Sequence, residues 1–189
     1  MALNKKKLLI AGDSFSADWS VKYSDNLGWV NLFHNFEVKN ISQAGASEYK
    51  IYKQILYEDL SLYDKIIICH TSPFRIYAKQ HPIHAHDILH KNCDLIYNDL
   101  LSHKDNVKSK IALDFFETYF DQEYAEFTHN LITEKIIEMS PFAHHITFFE
   151  SSNKKLISFY KLYVKHKGLI NHLSKLGNEI VYKEINLLL

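Results

Sequence analysis

Short apolar runs that end at a glycine or a polar residue recur along the chain and predict the strands of a sheet. Residues 8–11 and 66–69 are continuously apolar, which is typical of parallel strands buried on both faces. Two further strands are predicted over residues 37–41 and 143–150. These runs predict one buried sheet built from strands that lie far apart in the sequence.

Apolar residues at helical spacing predict helices between the strands. The segments are residues 26–36, 48–60, 88–101, 154–163 and 173–188. A longer pattern over 111–139 predicts one long helix or two joined helices, ending near Ser140 and Pro141. Ser47 is the expected N-cap of the helix that begins at residue 48. The alternation of strands and helices predicts a parallel sheet between two helix layers, with right-handed crossovers.

Composition and charge narrow the class of protein. With 189 residues, of which 47% are hydrophobic, the chain predicts a single globular domain over residues 1–189. Lys and Arg total 22, as do Asp and Glu, and this balance argues against a nucleic-acid partner. No apolar run reaches the roughly 20 residues of a membrane span, and the N-terminus lacks the apolar region of a signal peptide. We therefore expect a cytoplasmic protein without a membrane partner.

The polar turn after the first strand carries the candidate nucleophile, Ser14. Gly12 permits a tight exit from the strand, and the following residues lie at the carboxyl edge of the sheet, where α/β proteins bind ligands. A serine hydroxyl needs a base to take its proton. Among the 12 histidines, His172 is the best candidate, because its loop precedes the last helix and can fold back over that edge.

An acyl-transfer site also needs hydrogen-bond donors for the developing oxyanion. The amide of Ser14, the amide of Gly45 and a polar group of Thr71 or Ser72 are the candidates, since each ends a predicted strand or opens the next turn. Gly45 also lets a substrate approach the backbone closely. Arg75 is either a solvated charge or a clamp for an anionic or sugar substrate.

Four segments together resemble the blocks of the SGNH (GDSL-type) hydrolases. They are Gly12-Asp13-Ser14, the small turn within residues 40–47, the polar turn at 70–73 and the late histidine segment at 168–179. The resemblance spans nearly the whole chain, with residues 76–140 poorly covered. It implies a three-layer α/β/α, flavodoxin-like fold, and hydrolysis or transfer of an acyl group through a serine ester.

Two positions depart from the family pattern. The third block of the family usually carries Gly-x-Asn-Asp, whereas this chain has Ser72 where the oxyanion-hole Asn would fall. The last block usually carries Asp three residues before the His, and here that position is Leu169. Either the serine and histidine act as a dyad, or Asn171, Glu150 or a backbone carbonyl orients the imidazole.

The expected function is therefore that of a serine esterase on an acyl or acetyl ester of a small molecule or a glycan. Ser14 attacks the carbonyl, and His172 takes the proton and returns it to the leaving alcohol. Asp13, Arg75 and Asn171 are candidate substrate-binding residues, and Asp13 is also expected to stabilise its turn. The alternatives are an acyltransferase to a sugar and a catalytically inactive module that binds a glycan or a protein.

Two other patterns receive a structural interpretation. The histidines of residues 81–90 meet no known zinc spacing, although His86 and His90 would share a helix face beside Asp87. They predict an exposed His-rich loop with no metal, and no nucleotide motif predicts another cofactor.

Aromatic residues at helical spacing in 111–139 predict core packing, and an exposed subset predicts a homo-oligomer face. They are Phe115, Phe116, Tyr119, Phe120, Tyr124 and Phe127.

Overall fold

The computed structural model describes residues 5–22, 28–168 and 172–189. Its strands are β1 (Lys6–Gly12), β2 (Phe36–Asn40), β3 (Lys65–His70), β4 (Arg75–Ile76), β5 (Leu95–Ile96), β6 (His144–Thr147) and β7 (Ile157–Ser158). One sheet has the strand order β2-β1-β3-β6-β7, and all of its pairings are parallel. The strands β4 and β5 form a separate antiparallel pair.

Helices connect these strands. They are α1 (Glu48–Leu56), α2 (Tyr97–Leu101), α3 (Val107–Tyr119), α4 (Gln122–Met139), α5 (Tyr160–Lys165) and α6 (Lys175–Asn186). Short 3₁₀ helices lie at Trp19–Val21, Trp29–Leu32 and Leu60–Leu62. Within the described ranges, no helix is both long enough and apolar enough to cross a membrane.

Side chains alternate across the sheet and create one core on each face. Leu8 and Ile10 of β1 pack with Val181 of α6, on the face that the 3₁₀ helix Trp29–Leu32 also covers. Leu9 of the same strand packs with Ile51 of α1 and with residues of α4 on the opposite face. The result is the three-layer α/β/α, flavodoxin-like fold that the sequence predicts.

The predicted strands are confirmed, but three predicted helices have different bounds. Residues 28–35 hold only a 3₁₀ helix, and the Trp29 amide donates to Asn178 Oδ1 rather than to its own helix. Residues 88–94 are not helical, and Asp87 Oδ1 accepts hydrogen bonds from the Leu89 and His90 amides in a turn. Residues 154–159 include β7 at the sheet edge, and α5 begins after it.

The pattern over 111–139 forms two helices. Asp121 separates α3 from α4, and its side chain accepts a hydrogen bond from the Tyr124 amide as an N-cap. Phe116 is buried in a small core with Leu100 and Leu113, whereas most of the other aromatic residues are exposed. The homo-oligomer face on these helices stays a prediction.

The His-rich stretch is only partly the exposed loop that the sequence predicts. His81 is 1% exposed, and His84 and His90 are half-buried, so the prediction is wrong for these three residues. His86 is exposed. The expected helix face of His86 and His90 does not form, because no helix covers this stretch.

Truncating a side chain in the core between the sheet and α6 tests the layer assignment. Ile67 of β3 is fully buried, and we expect Ile67→Ala to lower the free energy of unfolding by about 2–5 kcal/mol in urea denaturation, as large-to-small core changes do. Ile111→Ala is the control, because that side chain is 65% exposed and should change stability by about 0.5 kcal/mol or less. Equal effects of the two substitutions would contradict the assignment.

Candidate active site

Asp13 organises the turn that leaves β1. Its carboxylate is fully buried, and its Oδ1 atom accepts a hydrogen bond from the Phe15 amide at 2.9 Å. Its Oδ2 atom accepts from the Thr71 hydroxyl at 2.8 Å and from the Arg75 guanidinium at 3.0 Å. The turn is therefore fixed both by its own backbone and by the segment that follows β3.

Ser14 follows Asp13 at the carboxyl edge of the sheet, where it is 8% exposed. The indole Nε1 of Trp19 donates to the Ser14 carbonyl oxygen at 2.7 Å. Gly12 is needed at the strand exit, because its φ is +150° and a Cβ there would lie 2.6 Å from the Cys69 carbonyl oxygen. The backbone thus holds the candidate nucleophile in one position.

His172 lies beside this turn. Its ring centroid is 5.1 Å from that of Phe15 and 4.5 Å from that of Trp19. The two aromatic rings that flank the imidazole therefore belong to the residue after Ser14 and to the indole that holds the Ser14 carbonyl. No hydrogen bond joins Ser14 Oγ to His172, or to any other residue that the structure describes. The His172 ring therefore contacts the residue that follows Ser14 in sequence, and the pairing of Ser14 with His172 stays a prediction.

Of the side chains predicted to orient the His172 imidazole, only Glu150 lies among the described residues. Leu169 and Asn171, the latter also a predicted substrate-binding residue, lie outside the described residues. Glu150 is exposed at the end of the segment that follows β6. Among the contacts of the His172 ring are those with the aromatic rings of Phe15 and Trp19.

Gly45 lies in the turn before α1, as predicted. Its φ is +73°, and a Cβ at this position would lie 2.4 Å from Cys93 Cβ, so the turn requires glycine. Across the part of the chain that the structure describes, the amides of Ser14 and Gly45 donate no hydrogen bond. Their role as oxyanion donors stays a prediction.

Thr71 and Ser72 do not contribute equally. The Thr71 amide donates to Glu48 Oε2 at 3.1 Å and its hydroxyl donates to Asp13, so both of its donors are occupied. The Ser72 hydroxyl accepts from the Phe74 amide at 3.3 Å and keeps its own proton for another partner. Of the two predicted oxyanion donors, Ser72 is the one with a free donor.

Arg75 connects neighbouring loops through buried contacts. Of its two predicted roles, that of a solvated surface charge is therefore wrong. Its side chain is only 9% exposed, and it donates to the Ala46 carbonyl at 2.8 Å as well as to Asp13. Its guanidinium also lies 5.7 Å from the centroid of the Phe149 ring. Arg75 thus joins the turns that follow β1, β2 and β3.

A buried series of hydrogen-bonded side chains, Glu48, His70 and His145, lies close to Arg75. It was not predicted from the sequence. Glu48 Oε1 forms a short hydrogen bond with His70 Nδ1, and His70 Nε2 lies 2.9 Å from His145 Nδ1. His145 Nε2 lies 3.1 Å from the Ser140 carbonyl oxygen. The Thr133 hydroxyl donates to Glu48 Oε1 at 3.0 Å. The chain links α1, α4 and two central strands.

The direction of these hydrogen bonds defines the charge state. A carbonyl only accepts, so His145 Nε2 carries a proton and its Nδ1 accepts from His70. Burial, together with His70, lowers the pKa of His145 to about 4, which keeps that ring neutral. Burial alone would raise the pKa of Glu48, but the charge and hydrogen bond of His70 lower it to about 2. The Glu48 carboxylate therefore lies against His70 Nδ1, while His70 Nε2 donates to His145.

A cavity of about 300 Å³ opens on the other side of Glu48. Aromatic residues of α3 and α4 form much of its wall, and its polar lining includes Ser72, Arg75 and His129. His129 Nδ1 is buried, lies 4.0 Å from Glu48 Oε2 and has no hydrogen-bond partner among residues 5–22, 28–168 and 172–189. Burial lowers the pKa of His129.

The sequence carried a faint signal of the buried chain. His70 and His145 both interrupt apolar strand segments at positions where the side chain must enter the interior. Glu48 stands at the start of a helix, where an acidic residue is common on its own account. Only the folded sheet shows that the three side chains meet.

A scan against protein-family models finds no match for this chain. Comparisons with curated proteins and with solved structures also find none. The functional assignment therefore depends on the geometry of the site.

The buried chain predicts a specific loss of stability in acid. The folded pKa of Glu48 is below its ordinary 4.5, so its stabilising contribution is present above pH 4.5 and is lost as the pH falls towards about 2. We expect Glu48→Gln to lower the free energy of unfolding at neutral pH by about 3–5 kcal/mol, because it leaves His70 buried without its partner charge. The substitution should also flatten the pH dependence in that window.

Urea denaturation at a series of pH values measures both effects. Glu138→Gln is the control, because that side chain is 67% exposed in α4 and should leave the pH dependence unchanged. A pH profile of Glu48→Gln that parallels the parent profile below pH 4.5 would show that Glu48 is not the linked group.

Proposed function

We propose that the protein is a serine esterase that acts on an acyl or acetyl ester of a small molecule or a glycan. The observation that carries this proposal is the position of the His172 ring against Phe15, which follows Ser14 in the turn, and against Trp19, which donates to the Ser14 carbonyl. A nucleophile on a rigid turn with a base beside it is the arrangement that serine acyl transfer needs.

In the first half-reaction, Ser14 Oγ attacks the ester carbonyl and His172 accepts the hydroxyl proton. The tetrahedral oxyanion accepts hydrogen bonds from the amides of Ser14 and Gly45 and from the Ser72 hydroxyl. Its collapse breaks the ester C–O bond, and the imidazolium returns the proton to the leaving alcohol. Water then attacks the serine ester with His172 again as the base, which releases the acid and restores Ser14.

Proton transfer in this step requires a His172 ring nitrogen within hydrogen-bond reach of Ser14 Oγ. A general base acts from roughly 2.6–3.2 Å, and catalytic hydrogen bonds often tighten only when the substrate is bound. Asp13 and Arg75 keep the nucleophile turn fixed, so the adjustment falls to the His172 side of the site.

Ser14→Ala tests the nucleophile. We expect it to lower turnover of a short-chain nitrophenyl ester by at least about 10³-fold, because loss of a triad member removes most of the rate enhancement. The melting temperature should change little, since Ser14 Oγ makes no hydrogen bond to a described residue. Ser61→Ala is the control, because Ser61 lies in the 3₁₀ helix that precedes β3, at the opposite edge of the sheet.

Wild-type turnover that survives in Ser14→Ala would contradict the proposal. Adding a sugar acceptor to the wild-type reaction and analysing the products distinguishes hydrolysis from transfer. An acylated sugar would assign the same site to an acyltransferase.

A second candidate is a catalytically inactive module that binds a glycan in the cavity beside Glu48. Ser14 does not line this cavity, whereas Tyr119 and Tyr124 present exposed aromatic rings to it and His129 supplies a polar atom. Small-molecule sites typically combine aromatic walls with a few polar groups in this way. The cavity of about 300 Å³ is at the lower end of such sites.

A glycan array probed with Ser14→Ala, followed by calorimetry on any glycan that binds, tests this candidate. We expect the double substitution Tyr119→Ala and Tyr124→Ala to weaken binding by at least about 10-fold, because each lost aromatic contact costs about 0.5–1.5 kcal/mol. Phe142→Ala is the control, since that ring is 94% exposed and does not line the cavity. Binding that is unchanged in the double variant would exclude the cavity as the site.

A further inference from the structure

Four side chains with metal-ligating atoms converge in the segment between β4 and α3. His81, His84, Cys93 and Asp99 each offer one ligand atom, and these atoms all lie within 4.8 Å of one another. The His84 Nε2 atom is 2.8 Å from Asp99 Oδ2, and the His81 Nε2 atom is 3.5 Å from the same oxygen. The cluster is separate from Ser14 and from the buried chain of Glu48, His70 and His145.

One atom of the cluster is unsatisfied. The His81 side chain is fully buried, and its Nε2 atom has no hydrogen-bond partner within the described part of the chain. A buried polar nitrogen without a partner is costly in a folded protein, and a bound ion removes that cost. The Ile83 amide donates to His81 Nδ1 over a long distance of 3.4 Å. An imidazole that binds a metal through Nε2 carries its proton on Nδ1, so this weak hydrogen bond is lost when the ion binds.

We propose that His81, His84, Cys93 and Asp99 bind one Zn²⁺ ion. Two imidazoles, a thiolate and a carboxylate form a mixed N, S and O set that suits zinc better than Mg²⁺ or Ca²⁺, which prefer oxygen ligands alone. Zinc bonds of about 2.0–2.3 Å place tetrahedral ligand atoms about 3.3–3.8 Å apart, so no pair of these atoms needs to move closer by more than about 1 Å, and His84 Nε2 and Asp99 Oδ2 need to separate by about 0.5 Å. Cys93 releases its thiol proton when the ion binds.

Four protein ligands leave no open position, which is typical of a structural site. The ion would join two irregular loops to α2 in a segment whose regular structure is limited to two short strands and a five-residue helix. It would also hold Cys93 against Gly45, where any side chain would clash. The neighbouring Asp94 already binds this turn, because its amide donates to the Gly45 carbonyl at 2.9 Å.

Zn²⁺ titration of the chelator-treated full chain tests the proposal. We expect one Zn²⁺ per chain by calorimetry, a higher melting temperature with Zn²⁺ but not with Mg²⁺, and a thiolate-to-metal charge-transfer band when Co²⁺ replaces Zn²⁺. His84→Gln and Cys93→Ser should each weaken binding by at least about 100-fold, since loss of a second-shell partner alone costs 10–100-fold. Cys93→Ser should also abolish the charge-transfer band.

His86→Ala is the control, because His86 lies in the same loop, is exposed and does not belong to the cluster. It should keep the stoichiometry, the affinity and the rise in melting temperature. His84→Gln keeps a half-buried polar side chain, so loss of binding in a folded sample of this variant supports the site. Absence of stoichiometric Zn²⁺ binding by the wild-type chain, or binding that persists in both ligand variants, would overturn the proposal.

Discussion

The buried ion pair between Asp13 and Arg75 is the interaction on which the arrangement of the sheet edge depends. Asp13 fixes the turn after β1 by accepting from the Phe15 amide. Arg75 donates both to Asp13 and to the Ala46 carbonyl, which lies before α1. The Thr71 hydroxyl also donates to Asp13 and so connects the loop after β3 to the same carboxylate. Removing one member of a buried pair typically costs about 3–5 kcal/mol, so three loops share one strong constraint. The proposed oxyanion donors lie on these loops.

This constraint divides the edge of the sheet into two regions. On one side lie Ser14, Trp19 and the ring of His172, with the proposed reaction. On the other side lies the cavity, which Glu48 borders from a buried hydrogen-bonded chain. Arg75 belongs to both, because it holds Asp13 and also lines the cavity. A ligand in the cavity therefore contacts the residue that positions the nucleophile turn.

The sequence predicted those parts of the fold that depend on local pattern. The apolar runs of β1 and β3 identified the centre of the sheet, and Gly12 and Gly45 marked turns that only glycine can form. The Asp13 turn was recognisable for the same reason. Local pattern failed where tertiary contacts set the backbone, as at Trp29, whose amide is bound by a residue of α6.

Side-chain clusters assembled from distant segments were not predictable in this way. Glu48 and Thr133 contact each other across 85 positions of sequence, and neither carries a local signal of that contact. The His-rich stretch shows the same difficulty, because two of its histidines meet Cys93 and Asp99 at spacings that match no familiar zinc motif.

The most direct test of the central claim is labelling with a fluorophosphonate probe, with the modified residue located by mass spectrometry. A serine activated by a neighbouring imidazole should be labelled at Ser14 in the folded chain, and labelling should be lost in His172→Ala. A folded wild-type sample that remains unlabelled at Ser14, or a His172→Ala variant that labels at the parent rate, would contradict the assignment of this pair.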